Sequence, residues 1–365
     1  MFSKRPQFGG ADAALQAAAG RLGGLLSQGP GATALLANPF VGAAGAGVLF
    51  LLAAGALIAV TGDPRAGSPH VRVSLNQGSD HLPALLDAAP TPVIGPAAPV
   101  APDGRQPLAQ SPVAGLTAPG PGGLLPIIAA DGRTPAQVYA RPFRDTGAPK
   151  AALVIGGLGL NAKATRQAIE DLPPEVTLSF VPYAEGLQGW IDLARSNGHE
   201  VLLEAPMEPL DYPQNDPGPY TLMAQDPPLE TTKRLEMLLS RATGYFGVTN
   251  YLGGRFLTSD AAMGVFGGAL HQRGLGFIDD GSAGGRGGAE PRASAERVID
   301  QDLDAGSIDQ QLQALESSAL QHGKALASGF AYPVTLQEVQ KWAAALQAHG
   351  VVLAPASALM SRRTP

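Results

Sequence analysis

The stretch Asn197-Gly198-His199-Glu200-Val201-Leu202-Leu203-Glu204 decides the fold. Glycine tolerates the left-handed backbone that stops a helix, so Gly198 closes one element and the apolar run after it opens the next as a strand. The same phrase returns at Arg273-Gly274 before Leu275-Gly276-Phe277-Ile278. It returns again at His322-Gly323 before Lys324-Ala325-Leu326-Ala327, and at His349-Gly350 before Val351-Val352-Leu353. A repeated helix-cap-strand unit builds a parallel sheet covered by helices, and such sheets place their chemistry where the strands end.

Working outward, strands are expected at Ala151–Ile155, Val176–Val181, Val201–Glu204, Gly247–Asn250, Leu275–Asp279, Lys324–Ser328 and Val351–Ala354, with a short one near Arg297–Asp302. Helices are expected over Ala162–Asp171, Gly186–Ser196, Leu229–Thr243, Ser259–Gln272, Ile308–Gln321 and Leu336–Ala348. Seven or eight such units point to an α/β fold, a (β/α) barrel of 7-8 parallel strands, with an open doubly wound sheet as the competing architecture.

The remainder of the chain divides by composition. No charged residue occurs from Leu22 to Gly62, and 40–60 is a run of mostly Ala, Gly, Val, Leu and Ile. At about 1.5 Å per residue this run crosses a hydrocarbon core of about 30 Å. It is read as a transmembrane anchor, following a short cytoplasmic segment over 1–39. Lys4, Arg5 and Arg21 precede it, which favours the cytoplasm for the N-terminal side and an inner-membrane, single-pass protein with its C-terminal domain in the periplasm. Residues 61–149 are rich in Pro, Ala and Gly and read as an extended linker, with Leu124–Ile128 as a candidate docking point on the body. The folded domain is then 150–365. A net charge of -6 with no dense basic patch argues against nucleic acid as a partner, and the absence of cysteine excludes disulfides, thiolate metal sites and a Cys nucleophile.

The strand ends carry the polar residues. Gly156-Gly157-Leu158-Gly159-Leu160-Asn161-Ala162 has dinucleotide-fingerprint spacing, but the second strand ends Phe180-Val181-Pro182-Tyr183 without the required acid, so a tight turn is the better reading. Glu204 and Glu208 flank a Pro-stiffened turn. They suit acid–base work or sugar hydroxyls, or else stabilise the loop through backbone amides. Asn250, Tyr251 and Arg255 suit a sugar or an anion, with Arg255 alternatively pairing Asp279 or Asp280. Asp279 and Asp280 suit shared-proton or cation chemistry, or a turn. Glycines 284, 285, 287 and 288 around Arg286 make the following loop a candidate lid. His199, His271, His322 and His349 fall at helix ends before strands, on the rim opposite the strand ends, and are read as structural.

Taken in order, the blocks Val154–Gly159, Leu172–Leu178, Gly198–Leu203, Pro206–Pro209, Asn215–Pro219, Gly253 with Arg255-Phe256, and Tyr332-Pro333 resemble the divergent polysaccharide deacetylase family over Ala151 to Leu359. The resemblance implies a distorted (β/α) barrel and a role in cell-envelope carbohydrate metabolism. In active relatives an Asp and two His hold a divalent metal that activates water for de-N-acetylation. Carried over, the acidic pair of the first strand is Gly156-Gly157 here, one His is Tyr251, another is Phe330, and a His after the third strand is Glu204. Glycine and phenylalanine side chains offer no ligand, and tyrosine is a poor one at neutral pH. By the resemblance the chain would be a hydrolase of acetylated sugars; the residues at the ligand positions instead predict a hydrolase-like pseudoenzyme with no metal or other cofactor, binding a cell-envelope glycan through Glu204, Glu208, Asn250, Tyr251, Arg255, Asp279 and Asp280. Two alternatives stay open: a carbohydrate hydrolase using strand-end carboxylates, and a protein-interaction scaffold.

Overall fold

The computed structural model of the chain describes residues 105–283 and 290–362. Its centre is a curled sheet. In chain order the strands are β1 (Thr117–Pro119), β2 (Leu124–Pro126), β3 (Lys150–Leu158), β4 (Thr177–Phe180), β5 (Val201–Met207), β6 (Gly247–Leu252), β7 (Gly276–Asp279), β8 (Pro291–Ser294), β9 (Arg297–Val298), β10 (Lys324–Phe330), β11 (Val352–Leu353) and β12 (Ser361–Arg362). The helices are α1 (Pro135–Val138), α2 (Ala162–Asp171), α3 (Leu187–Ser196), α4 (Pro228–Leu239), α5 (Asp260–Gln272), α6 (Ala305–His322) and α7 (Pro333–Leu346).

Eight strands run parallel in the order β8-β7-β6-β5-β4-β3-β10-β9, and β12 adds an antiparallel edge beside β8. The short β11 pairs with Lys150 and Ala151 at the base of β3, before β4 joins it at Val154. The sheet is thus a curled half-barrel of eight parallel strands and not a closed barrel: β8 and β9 end its path on opposite sides. The chain nevertheless spans that gap, since Ala295 N donates to Asp279 O of β7 and Glu296 N to Leu326 O of β10. Gly198, Gly274, Gly323 and Gly350 all take positive φ at the ends of their helices. The repeated cap is real.

Side chains alternate across the sheet, as a pleated strand requires. Leu153, Ile155, Leu178, Phe180, Val201, Leu203, Phe277 and Ala327 pack outward against the helices. Ala152, Val154, Leu202, Ile278 and Leu326 point inward and form a second cluster with Leu116, Tyr139, Phe246 and Leu359. The inward residues nearer the strand ends are polar or absent: Ser179, Glu204, Thr249 and Gly156. The lumen is plugged at its base and left open at its mouth.

Residues 105–149 correct the reading of 61–149 as an extended linker. Where described, this segment is strapped onto the body. Leu116 and Tyr139 are fully buried, and Arg195 of α3, itself buried, donates to Ala109 O, Tyr139 O and Gly244 O with its guanidinium over the Tyr139 ring. Arg105 donates to Ile169 O at the end of α2, Arg141 to Gly198 O and Glu175, and Ala136 N to Gly274 O. A few anchors at the right spacing outweigh an average composition that resembles a spacer. The docking point at Leu124–Ile128 is realised in part by β2, with Leu125 buried and Ile127 N bonded to Leu116 O. Among the described residues no helix is long and apolar enough to cross a membrane, and the run at 40–60 lies outside them. The candidate glycine lid at 284–288 is also outside the described residues.

Candidate functional site

The mouth of the sheet holds a cavity of about 1000 Å³, walled by the ends of β3, β4, β5, β6 and β10 and by the loops that follow them. Gly157, Glu204, Tyr251, Phe330, Tyr332 and Tyr183 are among its lining residues.

Glu204 forms the floor. It is the inward residue two beyond Leu202 on β5, and only 3% of it is exposed. Its Oε1 accepts hydrogen bonds from Gly157 N at 2.7 Å and from Ser179 Oγ at 2.9 Å. Its Oε2 has no hydrogen-bond partner among the described residues. Among the described residues no Arg or Lys is bonded to it. Burial pushes its carboxyl up to about 7, against the opposing pull of its two hydrogen bonds.

The two glycines before it have distinct jobs. A Cβ at Gly156 would lie 2.9 Å from both Glu204 Oε1 and Ser179 Oγ, so an alanine there would collide with the carboxylate. Gly157 has φ +73°, which turns its amide toward Glu204, and the register of β3 against β4 shifts at this point. That occupied amide also disposes of the dinucleotide-loop reading.

Aromatic rings form the wall. Tyr251 and Phe330 stand edge to face with centroids 6.4 Å apart, and Phe330 lies 6.3 Å from Tyr332. Phe330 is held by Asp300, whose Oδ2 accepts from Phe330 N at 2.7 Å and Thr335 Oγ1 at 3.0 Å. Tyr183 presents a buried hydroxyl with no hydrogen-bond partner among the described residues, and burial raises it well above the ordinary phenol range. Lys163 and Asp216 complete the charged groups of the lining.

The other expected site residues are elsewhere. Glu208 is buried and structural: its Oε2 accepts from Ala224 N at 2.7 Å and its Oε1 from Arg255 Nη1 at 3.2 Å. Arg255 therefore pairs with Glu208, not with Asp279 or Asp280, and also donates to Leu210 O. Asn250 ties β6 to β7, donating to Leu252 O and accepting from Asp280 N. Asp279 is sealed by Arg292 Nη2 and Ser294 Oγ, each at 2.7 Å, and by Gly281 N. Asp280 closes a turn onto Ser282 N. None of these five lines the cavity. Their carboxylates and amides are spent on holding the loops, the alternative the sequence left open. Sequence reading missed Ser179, Tyr183 and Asp300. Ser179 had a signal, since Thr177 and Ser179 alternate with Leu178 and Phe180.

The family model for divergent polysaccharide deacetylases matches residues 153–360, well over half of the chain. The chain belongs to the divergent polysaccharide deacetylase family. A crystal structure of an uncharacterized protein from Agrobacterium tumefaciens C58 is similar to it at 38% identity, with a TM-score of 0.62, covering 65% of this chain and 99% of that one. An uncharacterized protein of Haemophilus influenzae is 23% identical over 198 residues, 52% of this chain and 70% of the relative. The divergent-deacetylase fold thus places Gly157, Tyr251 and Phe330, three positions where the resemblance puts metal chemistry, around one hollow. The donors present do not fit a divalent cation. Among the described residues no three of His, Cys, Asp and Glu gather, and Glu204 already spends one oxygen on Gly157 and Ser179.

Proposed function

We propose that this divergent polysaccharide deacetylase binds a cell-envelope glycan in the strand-end cavity and does not carry out metal-dependent de-N-acetylation. The observation that carries the reading is the pair Tyr251 and Phe330. Both stand at positions where the family resemblance puts histidine, and both line the same cavity as Glu204. Sugar rings bind to such sites by stacking apolar faces on aromatics while a few fixed polar groups take the hydroxyls. The run at 40–60 and the basic residues before it support a membrane anchor holding the domain in the periplasm, where such glycans lie.

The carboxylate-hydrolase alternative loses ground. Glu208 and Asp279 are committed to Arg255 and Arg292, and Glu204 faces the cavity without them.

The test is calorimetric titration of the full chain in detergent with envelope oligosaccharides, beside acetate release from N-acetylated ones with added zinc. The reading expects saturable binding, lost tenfold or more in Tyr251→Ala and Phe330→Ala, and no acetate. Acetate release with stoichiometric zinc would overturn it.

A further inference from the structure

We propose that the cavity selects a glycan bearing a free, protonated amino group, the ammonium sitting between the Glu204 carboxylate and the faces of Tyr251 and Phe330. This rests on the glycan-binding reading above and names the ligand class for it.

Three observations converge. Glu204 is buried, is fixed through Oε1, and has an Oε2 without a partner among the described residues, in a cavity it lines. The rings beside it form a cluster, with Phe330 close to Gly157, whose amide donates to Glu204: a Cβ on Gly157 would be 3.3 Å from Phe330 Cδ1. Aromatic faces attract cations through the ring quadrupole, and more strongly when water is excluded. The lining carries two acids, Glu204 and Asp216, against one cation, Lys163. A neutral acetamide in this position would leave the carboxylate without a counter-charge, which a buried acid penalises.

The groups facing Glu204 set its pH response. Gly157 N and Ser179 Oγ come from β3 and β4, Tyr251 from β6, and Phe330 with Tyr332 from the β10 end, while Lys163, Asp216 and Tyr183 also line the cavity. Glu204 and Tyr332 both push the Tyr251 phenol up, after burial, so Tyr251 stays neutral. Glu204 is the group that titrates in the working range. Amine binding therefore strengthens as pH rises toward 7 and beyond, until the ligand amine itself loses its proton.

The experiment compares a β-1,4-linked glucosamine tetrasaccharide, its fully N-acetylated counterpart and cellotetraose by calorimetry on the full chain at pH 5.5 and pH 7. The expected result is at least tenfold tighter binding of the glucosamine oligomer at pH 7, with the preference shrinking to threefold or less at pH 5.5. Glu204→Gln should erase the preference between the glucosamine oligomer and its N-acetylated counterpart. Phe330→Leu, which leaves the acid in place, should cut the preference at least threefold. Equal binding of the three sugars, or a preference that survives Glu204→Gln, overturns the amine selectivity and leaves the glycan site standing. Failure of all three to bind removes the glycan reading and the inference with it.

Discussion

Replacing Glu204 with glutamine keeps the shape of the cavity floor and removes its titration. The amide oxygen still accepts from Gly157 N and Ser179 Oγ. In the folded protein burial raises the carboxyl from 4.5 to about 7, with the hydrogen bonds opposing. The unfolded chain releases that proton at the ordinary value, so between these limits the folded state holds more protons. Stability from this group is fully present below pH 4.5 and is lost as pH rises through 7. At about 1.4 kcal/mol per pH unit the loss is about 3 kcal/mol. The variant lacks this slope, and other titrating groups cancel in the comparison. Urea unfolding of both proteins at pH 5, 6, 7 and 8 measures it. Relative to wild type, Glu204→Gln should gain about 2–3 kcal/mol on going from pH 5 to pH 8. A difference that stays flat within about 0.5 kcal/mol, or that moves in the opposite direction, refutes a buried Glu204 that ionises with difficulty.

Further outcomes follow from the same contacts. Gly156→Ala puts a Cβ against Glu204 Oε1 and Ser179 Oγ at 2.9 Å; it should cost about 1–3 kcal/mol in urea unfolding and weaken sugar binding with it. Asp279→Asn leaves Arg292 beside a neutral group in a buried site. It should cost about 3 kcal/mol yet leave sugar affinity unchanged, separating a structural acid from the cavity acid. Tyr139→Ala removes the ring beneath Arg195 and the hydroxyl that accepts from Val113 N. A loss of about 3–5 kcal/mol by thermal or urea unfolding is expected if 105–149 is part of the folded body, and almost none if it is a spacer.

How much of this was legible in the sequence follows from the kind of information each feature uses. The helix-cap-strand phrase is local, and α2 falls over Ala162–Asp171 as expected. Three strands were lost to misleading local chemistry: β8 opens on a proline beside a glycine-rich loop, and β1 and β2 lie in a segment whose average composition hides Leu116 and Tyr139. Closure of the sheet depends on whether β8 meets β9, a tertiary matter no periodicity reports. In the site, a matched family order fixes which strand ends Gly156-Gly157, Tyr251 and Phe330 occupy; Gly157, Tyr251 and Phe330 line the cavity, while Gly156 packs against Glu204 and Ser179. What separated Glu204 from Glu208 was invisible, since both are acids at one strand end. One points into the lumen beside a glycine with no side chain, and the other reaches an arginine and a backbone amide.

A crystal structure of the complex with the glucosamine tetrasaccharide tests the central claim most directly. A sugar ring should lie against Tyr251 and Phe330, with its amino nitrogen within about 3.2 Å of Glu204 Oε2. A sugar seated outside the strand-end cavity, or a metal ion held by the cavity residues in its place, would contradict it.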